Sequence, residues 1–210
     1  MDREQTIEHI KKKYNVVIDE TTEYPIPLGM GKHKCLPRLF AELGFTKGAE
    51  VGVYRATFSD SLLRRVPNLH LIGVDLWAVY PGYKDFGETD IVDAERESGE
   101  TYAKYGDKAI LIKGESLDVA KTIPDGSLDF VFIDANHAFE YVIADIAAWS
   151  KKVRKGGIIS GHDYNDYSRR SKRFEINVFD AVNGWTKAYQ IKPWFITINN
   201  RNKCWFYIKV

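Results

Sequence analysis

The chain has only two cysteines in 210 residues, Cys35 and Cys204, and they form neither a CxxC pair nor a metal-ligand spacing. That argues against a disulfide framework or a cysteine-built zinc site, and both thiols read as small packing residues of a reducing compartment. Long apolar runs are also missing: none reaches the roughly 18 residues of a membrane span. The start, Met1-Asp-Arg-Glu-Gln5, is charged rather than leader-like. The expectation is a soluble, cytoplasmic protein with no membrane partner. Neither sign of charge dominates, with 30 Lys and Arg against 29 Asp and Glu, so no overall positive field draws in nucleic acid. No repeat, low-complexity stretch or Pro-Pro-Tyr base-flipping signature stands out.

What is present suits a globular protein. A content of 44% apolar, 28% charged and 13% aromatic residues belongs to a chain that can bury a core, and the length fits one α/β domain with a short extension. The best boundary falls near Phe45, so residues 1–45 read as an N-terminal helical extension and 46–210 as the main domain. Within the extension Leu36, Leu39, Phe40 and Leu43 recur at helical spacing, with Gly44 as the stop. Before them, Tyr24-Pro-Ile-Pro-Leu-Gly-Met-Gly31 suits an extended segment followed by a hinge, readable as a lid or as an ordinary connector.

From residue 49 onward, short apolar runs alternate with amphipathic stretches, the pattern of βαβ units in a parallel sheet. Strands are expected at about 49–53, 70–75, 109–113, 128–134 and 157–161. A helix is expected over 138–152, with Phe139, Val142, Ile143, Ile146 and Trp149 on one face. Lys151, Lys152, Arg154 and Lys155 would complement its C-terminal end, and Gly156-Gly157 would break it. The tail, 194–198 and 204–208 around a polar loop, reads as an antiparallel hairpin.

In a doubly wound sheet ligands sit beyond the carboxyl ends of the strands, where the strand order reverses. The ends expected here carry polar chemistry. Glu50 and Gly52 close the first strand, and Tyr54 and Ala56 stand where a GxGxxG fingerprint would have glycines, which weakens dinucleotide binding. Asp75 ends the second strand, about 20 residues on, where a carboxylate can accept ribose hydroxyls. Gly114-Glu115-Ser116 follows the third, with Ser116 as an adenine contact or a helix N-cap. Asp134-Ala-Asn-His137 ends the fourth and Gly161-His-Asp-Tyr164 the fifth. Asn136 reads as a cap. Trp77, Tyr80, Tyr83 and Phe86 read mainly as core packing, and Arg169-Arg-Ser-Lys-Arg173 as a solvated basic face.

These segments resemble the class I S-adenosylmethionine-dependent methyltransferases, in the group of macrolide sugar O-methyltransferases and cephalosporin-biosynthesis relatives. The likeness rests on Glu50-Val-Gly52-Val with Phe58-Ser59, on Val74-Asp75-Leu-Trp77, on Phe132-Ile-Asp134-Ala-Asn-His137, and on Gly156-Gly157 with Gly161-His-Asp-Tyr164, over roughly 45–185. It implies a doubly wound, mostly parallel seven-stranded sheet, a Rossmann-like methyltransferase fold ending in the hairpin. It also implies a cofactor, S-adenosylmethionine, with Glu50 and Gly52 at the methionine part, Asp75 at the ribose and Ser116 at the adenine. Ser59, Trp77, Glu115 and Asp134 complete that set. Ala56 departs from the glycine common in the motif.

Methyl transfer to a hydroxyl needs the acceptor deprotonated, and His137 matches the family's base, with Asp134 beside it. In metal-dependent relatives the acids matching Asp134 and Asp163 hold a divalent ion, so a Mg²⁺ there is one reading and a metal-free site the other, because His162 replaces a carboxylate and imidazole is a poorer Mg²⁺ ligand. The acceptor is expected to be a small hydroxylated, sugar-like molecule. The rivals are a nicotinamide-dependent oxidoreductase, for which the glycine fingerprint fails, and a noncatalytic nucleotide-binding module on the same fold.

Overall fold

The strand over residues 128–133 shows why this chain builds a covered sheet. Five of its six residues are buried. Phe130 and Phe132 join the apolar cluster on one face, and Val131 and Ile133 join the cluster on the other. A strand that is apolar on both sides must be covered on both sides, which is the condition for a parallel sheet with helices above and below. The computed structural model describes residues 1–79, 87–166, 176–199 and 201–210.

In chain order the elements are α1 (Arg3–Tyr14), β1 (Ile26–Leu28), α2 (Lys32–Glu42), β2 (Lys47–Val51), α3 (Thr57–Arg65), β3 (His70–Asp75), α4 (Glu88–Ala103) and β4 (Ala109–Lys113). They continue with α5 (Ser116–Thr122), β5 (Leu128–Ile133), α6 (Phe139–Trp149), β6 (Val153–Gly161), α7 (Val178–Ala188), β7 (Trp194–Thr197) and β8 (Trp205–Ile208). The sheet order is β1-β7-β8-β6-β5-β2-β3-β4. Only β8 runs against the rest. The order reverses between β2 and β5, so the switch point opens at the carboxyl ends of those two strands.

The sheet has eight strands, not the seven expected. The extra one is β1, from the Tyr24–Gly31 stretch, which pairs in parallel with β7 at the sheet edge. Pro27 is tolerated because an edge strand has one side on which no amide is needed. The segment read as 49–53 is shifted to 47–51, because Gly52 at φ +89° turns the chain out of the sheet.

The expected helix over 138–152 ends at Trp149, and Arg154 to Gly156 belong to β6. Arg154 pairs with Asp129 of the neighbouring strand, Nε to Oδ1 at 2.7 Å, and does not cap the helix. Gly156 is needed for a different reason from helix breaking. At φ +76° a Cβ there would stand 2.7 Å from the Asp2 carbonyl carbon and 2.9 Å from the Arg3 amide, so the bare backbone lets α1 dock. α2 forms as read, with Leu36, Leu39, Phe40 and Leu43 buried. The hairpin is present as β7 and β8, antiparallel.

Candidate active site

A cleft of about 1290 Å³ opens at the switch point. Glu50, Gly52, Asp75 and Asp134 all line it, although they are scattered over 85 positions of sequence (50 to 134). Glu115, Ser116, His137, His162 and Asp163 line it too. The volume exceeds the roughly 300–1,000 Å³ of a typical small-ligand pocket, which leaves room for a nucleoside-sized molecule and a second one beside it.

Gly52 is forced by the chain itself. A Cβ at this position would lie 2.1 Å from the carbonyl oxygen of Asp134, so glycine lets the chain leaving β2 pass close against the chain leaving β5 at the mouth of the cleft. The loop that follows keeps left-handed conformations without glycine: Tyr54 sits at φ 51° and Ala56 at φ 55°. Asp75 clamps that loop. Its Oδ2 accepts the amides of Val53 and Tyr54, both at 2.8 Å, and its Oδ1 accepts the Trp77 amide at 2.8 Å. A carboxylate has about four acceptor positions, so one is left toward the cleft.

Two residues expected at the cofactor, Ser59 and Trp77, are not among those that line the cleft. Trp77 is buried and is not among the cleft-lining residues, and its indole N–H donates to the Tyr54 carbonyl at 3.0 Å. Ser59, fully buried, donates to Glu50 and accepts from the Tyr102 hydroxyl at 3.0 Å. Tyr102 was not foreseen. Glu50 is 2% exposed, and burial pushes its carboxyl up to about 8 against the opposing effects of the Ser59 hydroxyl and the Lys32 ammonium. A cation brought beside this carboxyl would favour its ionised form.

On the other side of the cleft, Ser116 does not offer its hydroxyl proton to a ligand. It donates that proton to Asp145 and accepts the Trp149 indole N–H at 2.8 Å. Asp145, also missed, is buried at the cleft wall, and burial raises its carboxyl to about 6. It lies on the apolar face of α6, where periodicity alone reports only packing.

The polar centre comes from β5, β6 and, unexpectedly, α2. His137 Nε2 lies 3.2 Å from Asp163 Oδ2 and 3.5 Å from Asp134 Oδ1. His162 Nδ1 lies 3.4 Å from Asp163 Oδ1 and 3.5 Å from Asp134 Oδ2. Lys32 Nζ donates to Asp134 Oδ2 at 2.6 Å. Burial alone would raise the Asp134 carboxyl, but Lys32 and the two imidazoles hold it well below the usual carboxylate range. Burial would likewise lower His162, yet the bonds to Asp134 and Asp163 raise it to about 9. Asp163 adopts φ 54°, left-handed for a non-glycine, the kind of local strain that concentrates at functional sites. Asn136 was expected as a cap, but its Oδ1 accepts the amide of Ala138, the residue before α6, at 2.9 Å in a local turn, and no side chain caps the helix itself. Tyr80, Tyr83, Phe86 and the basic cluster 169–173 lie outside the described residues.

A family model described as a methyltransferase domain, Methyltransf_24, matches residues 42–164, more than half of the chain. The chain belongs to this methyltransferase-domain family. The chain is 38% identical over 139 residues to an uncharacterized protein, R132, of Acanthamoeba polyphaga mimivirus. That match takes in 64% of this chain and 56% of the relative, so the chain spans little more than half the length of that protein.

Among solved structures it resembles the O-methyltransferase from Bacillus cereus in complex with SAH, at TM-score 0.64 and 16% identity, over 98% of this chain and 90% of that one. It also resembles a SAM-dependent methyltransferase from Aquifex aeolicus, at TM-score 0.55 and 14% identity, over 80% and 83%. At such identities the likeness is one of fold. That fold agrees with the methyltransferase-domain family match. Among the described residues no helix is long and apolar enough to cross a membrane.

Proposed function

We propose that this methyltransferase transfers the S-adenosylmethionine methyl group to a hydroxyl of a small, sugar-like acceptor, with His137 as the base. The observation that carries this reading is the placement of His137 at the cleft, 3.2 Å from Asp163, beside the switch point where the cofactor of this class lies. Glu50, raised by burial, suits the cationic methionine end. Asp75 uses its remaining acceptor position for a ribose hydroxyl, and Glu115 and Ser116 face the base.

His137 takes the acceptor proton, the freed oxygen attacks the methyl carbon in line with sulfur, and the carbon–sulfur bond breaks with its electron pair going to sulfur. The products are a methyl ether, S-adenosylhomocysteine and a protonated imidazole that returns its proton to water. Asp163 and Asp134 favour that imidazolium, so proton removal and charge stabilisation come from one cluster.

A divalent ion on Asp134 and Asp163 does not suit this donor set. Asp134, His162 and Asp163 are close enough together to share one. However, one of the three is an imidazole, and Oδ2 of Asp134 already holds an ammonium at 2.6 Å. The chemistry above therefore uses no metal.

Calorimetric titration with S-adenosylhomocysteine tests the cofactor reading. Binding in the micromolar range is expected, weakened at least about tenfold, roughly 1.4 kcal/mol, in Asp75→Ala. Binding of NAD in its place would end the proposal. With an acceptor in hand, His137→Ala should keep S-adenosylhomocysteine affinity while kcat falls by about 100-fold or more; an unchanged kcat removes His137 from the reaction.

A further inference from the structure

Lys32 belongs to none of the motifs that mark the site, yet it reaches the centre of it. β1 runs in the same direction as β6, so the chain leaves β1 at the carboxyl edge of the sheet, and Gly29-Met30-Gly31 delivers the first residue of α2 to the cleft. The Lys32 side chain is 10% exposed. Its Nζ stands 5.1 Å from the ring centre of Phe58 and 4.9 Å from that of Phe132, as well as 2.6 Å from Asp134.

Holding a four-carbon side chain in one buried conformation costs entropy and desolvation, so the position persists only where the surroundings favour a cation. Two aromatic faces and a carboxylate do so. The titratable groups that act on the ammonium are Asp134, Cys204 and Glu50, with His162 also within its reach, and His137 and Asp163 line the same part of the cleft.

We propose that the Lys32 ammonium is the built-in cation of this site, standing in the electrostatic place of a divalent ion and holding Asp134 against the cleft. What the cation serves rests on the methyl-transfer reading; its presence does not. The two carboxylates, Asp134 and Asp163, would repel an acceptor oxygen as it loses its proton, and a fixed positive charge offsets them before the acceptor arrives. An ion bound to Asp134 Oδ2 at the usual 2.0–2.6 Å would lie within about 5 Å of the ammonium, and the repulsion between dication and monocation opposes its entry.

Electron paramagnetic resonance of Mn²⁺, added alone to the full chain, decides the matter. The wild type is expected to leave Mn²⁺ free throughout the micromolar range. Lys32→Met and Lys32→Gln, the second keeping a neutral hydrogen-bond donor in case the first does not fold, should bind it at least about 100-fold more tightly. Adding Asp163→Asn to the tighter variant should abolish the gain, which a merely structural lysine would not produce. Micromolar Mn²⁺ binding by the wild type, or variants that bind no better than it does, overturns the proposal. S-adenosylhomocysteine affinity measured in parallel reports on the methyl-transfer reading alone, so the two failures are told apart.

Discussion

At the scale of single residues, Glu50 is an almost fully buried acid with a clear thermodynamic consequence. Its carboxyl is held up to about 8 in the fold, against an ordinary value of 4.5. Between those two pH values the native state keeps a proton that the unfolded chain releases, so stability falls as pH rises through that window. Urea unfolding of the ligand-free protein should therefore show a decline between pH 5 and 8 that is smaller in Glu50→Gln. A bound ligand bearing an ammonium or sulfonium favours the carboxylate, so binding at pH 7 should release protons. Calorimetry in buffers of different ionisation enthalpy measures that release, and its absence would place the ligand's cation elsewhere. The acids themselves were legible because each ends an apolar run. Their partners were not: Lys32 and Asp134 are 102 residues apart, and no local pattern couples them.

At the scale of elements, the turn from β2 into α3 shows how much a loop can hide. The missing glycines at Tyr54 and Ala56 were plain in the sequence, but the backbone keeps the left-handed geometry that glycine would supply at lower cost. The loop is held there by Asp75, which binds the amides of Val53 and Tyr54. A left-handed non-glycine residue costs about 1–2 kcal/mol, and glycine returns about 0.5–1 kcal/mol of that in chain entropy. Ala56→Gly should accordingly stabilise the protein by about 0.5–1 kcal/mol, seen as a higher urea midpoint at unchanged slope. A lower midpoint would show that the Ala56 methyl group, fully buried, contributes more by packing than the strain costs. The end of α6 was misplaced because the lysines and arginine that suit a helix C-terminus also suit the exposed start of a strand, and only the pairing of Leu128 with Val153 distinguishes the two.

At the scale of the whole molecule, the N-terminal residues do two jobs at opposite ends of the sheet. α1 docks near the start of β6, where the Thr6 hydroxyl donates to the Gly156 carbonyl at 3.0 Å and Ile10 is fully buried. The cleft lies at the other end of β6, about 16 Å away at the usual rise per residue. Removing residues 1–15 should cost roughly 3–4 kcal/mol, from one buried isoleucine and one hydrogen bond, yet leave S-adenosylhomocysteine affinity within about threefold. A large loss of affinity would mean that α1 holds β1 and Lys32 in place.

What the sequence determined by itself was the alternation of strands and helices, the reversed hairpin strand and the acids at the strand ends. Each of these is written in neighbouring residues, through burial on one or both faces and the breakers between runs. Only the tertiary structure decided that β1 adds an eighth strand, that Gly52 makes room for the carbonyl of Asp134, that Ser116 is held by Asp145, and that a lysine enters the site. Those facts depend on which distant segments the sheet order brings side by side, and hydrogen bonds or charges between such segments leave no periodic trace along the chain.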